Sequence, residues 1–173
     1  MVPLIETARL RLREIRESDL PFQAEMLRDE EVMRYLGGHL HRREETWRRM
    51  MAARGAWEMF GYGYWTVERR SDRAYLGTVG FADYKREMAP SIEGLPEMGW
   101  IFAPHVQGKG YASEAVAAGL DWADEALGRR ELVAIISHAN AASIRVAEKS
   151  GFSVREEALY NGEPILLLRR PAT

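Results

Sequence analysis

The pattern of apolar and polar residues predicts a chain that passes repeatedly between strands and helices. Leu10 and Leu12 alternate with arginines inside the segment 4–16, which is typical of a half-buried β-strand. Three further segments are rich in aromatic and β-branched residues and are predicted as strands: 61–68, 74–81 and 97–102. Because only the polar run 69–73 separates the first two of these, they are predicted to form a hairpin.

Between these strands, most apolar residues recur at the spacing of an α-helix. Helices are predicted at 20–27, 29–36, 42–59, 111–127 and 140–150. Their ends carry capping signals: Ser18 or Asp19 before the first helix, Gly128 after the fourth, and Asn140 and Gly151 at the two ends of the fifth. Small residues line the apolar face of the fourth helix, so this helix is predicted to pack closely on a sheet.

The last part of the chain returns to strands. The run 131–136 is almost continuously apolar, which is typical of a central strand covered on both faces. Segments 152–159 and 165–169 follow, joined around Asn161-Gly162, a dipeptide favoured in hairpin turns. The chain shows no internal repeat, low-complexity tract or linker, so residues 1–173 are predicted to form one domain.

Composition removes several classes of function. A net charge of -2 and a pI near 6.1 give no general attraction to nucleic acid or to an anionic membrane, so neither is expected as a partner. The absence of cysteine excludes disulfides, thiolate metal sites and a cysteine nucleophile. Residues 1–6 lack the basic and apolar parts of a signal peptide, and a cytoplasmic location is therefore expected.

The four histidines do not suggest a metal site. They are His39, His41, His105 and His138, and they are too scattered to follow any ligand spacing. No metal is predicted.

The segment between the strand 97–102 and the helix 111–127 has the composition of an anion site. Gly108 and Gly110 let the backbone approach a ligand closely, and the first N–H groups of the helix have no partners inside it. A phosphate is the expected guest. The segment lacks the spacing and the hydroxyl of a Walker A loop, and it lacks the third glycine and the acidic residue of the dinucleotide-binding fingerprint.

The residues Gln107-Gly108-Lys109-Gly110-Tyr111-Ala112 instead resemble the acyl-CoA pyrophosphate loop of the GNAT acetyltransferases, Gln/Arg-x-x-Gly-x-Gly/Ala. Segments 7–13 and 29–36 are similar to the opening of the ribosomal-protein N-terminal acetyltransferase (RimJ/RimL-like) subgroup of that family. Segment 140–152 is similar to the family signature Asn-x-x-Ser/Ala…Glu-Lys-x-Gly-Phe. These ordered matches cover most of the chain.

The resemblance implies the GNAT acyl-CoA N-acyltransferase fold, an α/β (α+β) structure with a mixed, mostly antiparallel twisted sheet of about six to seven strands flanked by helices. It implies an N-acyltransferase that moves an acetyl group from acetyl-CoA to a primary amine by direct attack in a ternary complex. The amine is either a protein N-terminal α-amine or a small molecule, and the enzyme is expected to be a monomer or homodimer. The alternative is a catalytically silent CoA-binding regulatory module.

The resemblance also implies a set of cofactor contacts. The pyrophosphate would meet the N–H groups from Gly108 to Ser113, and the pantetheine arm would lie beside the strand at Ile101 to Ala103 like an added strand. Gln107 would shape the loop, and Lys109 would add a point charge or remain solvated. The residues expected at the cofactor are Ile101, Phe102, Ala103, Gln107, Gly108, Lys109, Gly110, Tyr111, Ala112, Ser113 and Asn140, the last of these bonding the pantetheine arm or the acceptor.

Glu97 is the catalytic base that the resemblance implies, since related enzymes often carry a glutamate on this strand that acts through ordered water. Its position at an open strand edge is equally typical of a glutamate that is merely solvated. Glu93 and Glu114 are less favoured as bases.

The general acid is harder to assign. Many relatives place a tyrosine seven residues after the helix-capping asparagine, but Ala147 occupies that position in this chain. Ser143 is the residue that the ribosomal-protein subgroup offers instead, with simple helix capping as its other interpretation. Tyr160 is a more distant candidate.

Overall fold

The computed structural model describes all residues from Met1 to Thr173 and contains a single nine-stranded sheet. The strands are β1 (Ile5–Glu6), β2 (Leu10–Arg13), β3 (Tyr64–Arg69), β4 (Tyr75–Ala82), β5 (Met88–Ala89), β6 (Glu97–Phe102), β7 (Leu132–Ile136), β8 (Val154–Tyr160) and β9 (Glu163–Arg170). Their order across the sheet is β1-β2-β3-β4-β6-β7-β9-β8-β5. Neighbouring strands are antiparallel except β6 and β7, which are parallel.

Five α-helices join these strands. They are α1 (Leu20–Met26), α2 (Glu30–Met33), α3 (Arg43–Phe60), α4 (Tyr111–Ala126) and α5 (Ala141–Lys149). All five were predicted from the sequence, although α2 is shorter than its apolar pattern indicated. Each helix is too short or too polar to cross a lipid bilayer.

The expected fold class is confirmed, with more strands than the six or seven predicted. The predicted strand at 4–16 is in fact the hairpin β1–β2, since Thr7 N donates to Leu10 O at 3.0 Å and turns the chain back. Strand β5 lies in a segment that reads as polar, and it pairs with the end of β8. Strand β6 has the predicted bounds, and the Asn161-Gly162 turn joins β8 and β9 with positive φ angles of 52° and 76°.

Alternation along β3 assigns a helix layer to each face of the sheet. Trp65 packs against Trp122 of α4, with ring centroids 5.1 Å apart. The next residue, Thr66, points to the opposite face, where its hydroxyl donates to Asp19 at the start of α1. Because α3 packs against α1, these two helices cover one face and α4 covers the other.

An aromatic cluster fills the core between α4 and the sheet. Trp65 and Phe81 are fully buried, and Trp57 from the end of α3 meets both Trp65 and Trp122 edge-on. Gly119 of α4 lies over these rings and over Met98, where a Cβ would come within 3.2 Å of the Met98 methyl group. The small residues predicted on this helix face therefore set how closely α4 approaches the strands.

Asp19 occupies the N-cap position of α1, but its carboxylate does not cap the helix. It accepts hydrogen bonds from two nitrogens of Arg13 at 2.7 and 2.8 Å, from Arg16 N at 2.9 Å and from the Thr66 hydroxyl at 2.8 Å. Arg13 also donates to Glu68 at 2.5 Å. This buried network fastens β2 and β3 to the start of α1, so the prediction of a side-chain cap at Asp19 is wrong.

Candidate active site

A row of free backbone N–H groups lies between β6 and α4. The 3-10 helix Pro104–Val106 and a short loop connect β6 to Tyr111, the first residue of α4. None of the backbone N–H groups from Gly108 to Ser113 donates a hydrogen bond within the chain, and the first that does is that of Glu114, to Gly110 O at 3.2 Å. Free N–H groups at a helix N-terminus attract anions.

Two glycines give this loop its shape. Gly108 and Gly110 have φ angles of 74° and 78°, in the left-handed region that other residues adopt only at a cost. Alternation of left-handed and ordinary backbone turns successive N–H groups toward one side, which forms a concave anion site. Gln107 supports the loop by donating from Nε2 to Phe102 O at 3.4 Å.

The β1–β2 turn holds this loop from outside. Arg9 donates to Lys109 O at 2.9 Å, and its guanidinium group lies 4.6 Å from the centre of the Tyr111 ring. Glu114 accepts from Arg9 Nε at 2.6 Å and from the Thr7 hydroxyl at 2.5 Å. Burial raises the pKa of Glu114, but the bonds from Thr7 and Arg9 outweigh it and the pKa lies below its usual value. Glu114 therefore has a structural partner for its carboxylate.

The sheet opens beside this loop. Strands β6 and β7 pair only at Glu97 and Val133, while the rest of β6 pairs with β4 and the rest of β7 with β9. The facing edges of residues 98–102 and 134–136 are therefore free, and we call the gap between them the fork. An extended chain of amides can enter the fork as an additional strand.

Glu97 lies at the closed end of the fork, on the face covered by α1 and α3. Its carboxylate accepts from Arg86 Nε at 2.6 Å and from Arg86 Nη2 at 2.9 Å, and only 7% of its side chain is exposed. The interpretation of Glu97 as a solvated strand residue is therefore wrong. Each carboxylate oxygen still has a second lone pair that can accept from water.

Aromatic rings surround the Glu97–Arg86 pair. The guanidinium carbon of Arg86 lies 4.6 Å from the centre of the Tyr84 ring and 4.8 Å from that of Tyr160. The Tyr84 hydroxyl donates to that of Tyr64 at 3.3 Å. Tyr160, the more distant acid candidate, is thus occupied in packing on Arg86.

The start of α5 borders the fork after β7. Asn140 caps this helix, since its side-chain oxygen accepts from Ser143 N at 3.1 Å. This bond explains the asparagine at position 140 as a helix cap. It uses the backbone N–H of Ser143 and leaves the Ser143 hydroxyl free. Ala147 is fully buried in the core.

Two of the histidines are brought together, which the sequence did not indicate. The rings of His39 and His41 lie 4.9 Å apart, and His39 Nε2 lies 3.3 Å from Glu45 Oε2. These residues offer three ligand atoms within 4.8 Å of one another, so the expectation that the histidines are scattered is wrong for this pair. Glu45 Oε2 already accepts from Arg42 N at 2.6 Å, and the Arg42 guanidinium group, 3.8 Å away, opposes a divalent cation. The absence of a metal stays a prediction.

Comparison with known proteins identifies the family of the chain that carries these free N–H groups and the fork. The family model described as "Acetyltransferase (GNAT) domain" matches residues 9–153. The chain belongs to the GNAT acetyltransferase family. GNAT enzymes take the acetyl group from acetyl-CoA, so this chain is an acetyl-CoA-dependent N-acetyltransferase, as the sequence predicted.

Relatives match this GNAT enzyme over nearly its whole length. The uncharacterised N-acetyltransferase YoaA of Bacillus subtilis (strain 168) is 29% identical over 169 residues, which cover 95% of this chain and 93% of YoaA. A structure from Bordetella pertussis described as a GNAT-family acetyltransferase has a TM-score of 0.84 at 30% identity and covers 97% of this chain and 99% of its own. RimL, a ribosomal alpha-N-protein acetyltransferase in complex with coenzyme A, shares the fold with a TM-score of 0.78 at 18% identity, with 98% of each chain covered.

The structure places the cofactor residues expected from the sequence along one continuous path. The loop from Gln107 to Ser113 leads into the free edge of β6 at Ile101 to Ala103, and Asn140 lies across the fork at the start of α5. Their contacts with the cofactor remain predictions. Sequence reasoning missed Arg86 and the tyrosine pair, because no local pattern marks side chains that meet only in the folded chain.

Proposed function

We propose that this GNAT enzyme acetylates a primary amine of low pKa that is not part of a polycation, of which a protein N-terminus is the leading example. The observation that carries the cofactor part of the proposal is the row of free N–H groups from Gly108 to Ser113, placed at the mouth of the fork. The pyrophosphate of acetyl-CoA accepts from these groups, with Lys109 near enough along the chain to add charge. The pantetheine arm then extends along the free edge of β6 from Ala103 toward Gly99.

The reaction needs no covalent enzyme intermediate. The amine nitrogen attacks the thioester carbon, the C–N bond forms as the C–S bond breaks, and the electron pair leaves with sulfur. An acceptor that arrives as an ammonium ion must first lose a proton, and Glu97 receives that proton through water bound to a free lone pair of its carboxylate. The pairing with Arg86 fixes the position of Glu97 at the closed end of the fork, and an acceptor of low pKa loses its proton to this relay most readily.

Two features favour an α-amine over a polyamine. An α-amine titrates at about 7.7–8.0 and a lysine amine at about 10.4, so the α-amine loses its proton far more readily near neutral pH. In addition, the positive charge of Arg49 on α3 acts on the hydroxyls of both Tyr64 and Tyr84. The ion pairs of α3 involve other residues, and Arg49 has no carboxylate partner. A polycation would meet this uncompensated positive charge.

The proposal is tested by following thiol release from acetyl-CoA with a panel of acceptors. The panel contains peptides with alanine or serine N-termini, the same peptides with blocked N-termini, polyamines and single amino acids. We expect release with free N-termini, little with polyamines and none with blocked peptides. If the protein binds acetyl-CoA but no amine in the panel gives thiol release, it is a CoA-binding regulatory module and the proposal fails.

A further inference from the structure

Tyr64 lies across the sheet in a manner that only glycine neighbours allow. Tyr64, Gly80 and Gly99 stand in register on β3, β4 and β6. A Cβ on Gly80 would come within 2.4 Å of Tyr64 Cα, and a Cβ on Gly99 would lie 2.2 Å from the Tyr64 hydroxyl oxygen. The phenol ring therefore passes over β4, and its hydroxyl ends directly above Gly99 of β6.

This position is the point that the acetyl group reaches under the proposed function. An acyl carrier that enters the fork from the loop at Gly108 passes Ala103 and Ile101 before Gly99. The Tyr64 hydroxyl lies on the face of the sheet that carries Glu97, the residue that receives the acceptor's proton under the proposed function. The Tyr84 hydroxyl lies 3.3 Å from that of Tyr64, and the Tyr84 residue as a whole is 46% exposed, so this tyrosine reaches from the site to the surface.

We propose that Tyr64 is the catalytic residue that protonates the departing thiolate and that Tyr84 connects it to solvent. This inference rests on the proposed function. As the C–S bond breaks, sulfur takes the electron pair together with the phenolic proton of Tyr64. As the amide forms, the attacking nitrogen gives its second proton to water. The Tyr64 oxygen regains a proton from Tyr84, and Tyr84 regains one from that water, so the second proton of the amine replaces the one delivered to sulfur. The net proton released is the one that the ammonium form of the acceptor lost before attack.

The other candidate acids are less suitable. Both carboxylate oxygens of Glu97 accept from Arg86, and the Tyr160 ring is packed on the same guanidinium group. Ser143 has a free hydroxyl, but an aliphatic hydroxyl is a far weaker acid than a phenol. Burial raises the pKa of Tyr64 well above its usual value, with Tyr84 and Glu97 adding to the shift. The hydroxyl therefore carries its proton over the whole working range of pH.

Tyr64→Phe is the direct test, and Tyr62→Phe is its control. Tyr62 is a neighbouring buried tyrosine that stacks on Phe60 away from Gly99. We expect Tyr64→Phe to lower the single-turnover rate of acetyl transfer about a hundredfold, the range typical of a lost general acid, with the KM for acetyl-CoA and the acetyl-CoA-induced rise in Tm unchanged. Tyr84→Phe should give a smaller loss, and Tyr62→Phe none.

Gly99→Ala tests Tyr64 without removing its hydroxyl, and it provides a second test if Tyr64→Phe folds poorly. The new methyl group would displace the Tyr64 oxygen, so the transfer rate should fall in the native background but show no further loss in the Tyr64→Phe background. A Tyr64→Phe rate within threefold of the wild-type rate, or losses that simply multiply in the double variant, would overturn the inference while leaving the proposed function intact. A wild-type protein that releases no thiol with any amine would overturn both.

Discussion

Glu97 and Arg86 form a two-pronged ion pair, with Nε to Oε2 at 2.6 Å and Nη2 to Oε1 at 2.9 Å. Only 7% of the Glu97 side chain and 18% of the Arg86 side chain are exposed. The pair lies where β6 and β7 separate, so it fixes a carboxylate at the closed end of the fork. Removal of either partner would leave the charge of the other buried and unpaired, so a change at either residue is expected to lower the free energy of unfolding.

Replacing Glu97 by Gln should reduce both stability and turnover. Loss of one partner of a buried ion pair costs about 3 kcal/mol, and the amide cannot accept the amine's proton. The matched variant is Arg86→Gln, and the informative one is the double variant, which removes both charges. We expect the double variant to regain part of the free energy of unfolding in urea without regaining thiol release. Recovery of turnover along with stability would show that Glu97 acts only as a structural partner.

Substituting Gly110 by Glu should abolish stabilisation by acetyl-CoA. At a hundredfold excess over its dissociation constant, a ligand adds about 2.7 kcal/mol, which corresponds to a rise in Tm of roughly 5–10 °C. A carboxylate at position 110 would occupy the place of the pyrophosphate. Gly128→Glu is the control, since Gly128 has a similar φ of 74° with nothing within 4 Å of a Cβ. Both variants should lose basal Tm, and only Gly128→Glu should retain the shift; equal shifts in the two would remove the pyrophosphate from this loop.

Removing the Arg9 side chain should weaken acetyl-CoA binding although Arg9 contacts no expected part of the cofactor. Its bond to Lys109 O and its position over Tyr111 hold the loop in the shape that presents the free N–H groups. We expect Arg9→Ala to raise the dissociation constant about fivefold, measured by calorimetry, which is the size of one lost hydrogen bond. Arg11→Ala is the control, because Arg11 is on the same hairpin and pairs only with Glu6 at 3.7 Å. Equal affinities for the two variants would show that the loop needs no external support.

Asp19→Asn should make the protein less stable and less sensitive to acid. Burial raises the pKa of Asp19, but bonds from Arg13, Arg16 and Thr66 outweigh it, so the folded-state pKa lies below the usual value. The ionised carboxylate therefore contributes stability that is complete above about pH 4, its unfolded-state pKa, and that is lost as the pH falls through the lower folded-state pKa.

The measurement is the free energy of unfolding in urea between pH 7 and pH 3. We expect Asp19→Asn to lose about 3 kcal/mol at pH 7, because a buried arginine loses one partner, and to lose less on acidification than the wild type. Asp72→Asn is the control, since Asp72 pairs with Arg69 on the surface and should have little effect. A difference between Asp19→Asn and wild type that does not shrink at low pH would contradict this account.

Local features of the sequence were sufficient for most of the fold. The bounds of β6, the cap of α5 by Asn140 and the glycine turn at Gly108 and Gly110 were all predicted, because caps, turns and short strands depend on residues a few positions apart. The loop expected to bind pyrophosphate is such a feature, which is why it indicated the family before any tertiary information was used.

The composition of the sheet face that carries Glu97 was decided by tertiary structure alone. Tyr64 reaches Gly99 only because β3, β4 and β6 adopt one particular register, and Arg86 meets Glu97 because the loop after β4 folds back over β6. In the same way Arg9 and Glu114, which are far apart in the chain, meet because the β1–β2 turn lies beside the start of α4. A β3 register shifted by one residue would turn Tyr64 to the other face of the sheet, and no sequence period specifies the choice between partners so distant. The sequence by itself thus determined the elements, the loop and the family, while the long-range packing of the sheet determined which side chains surround the fork.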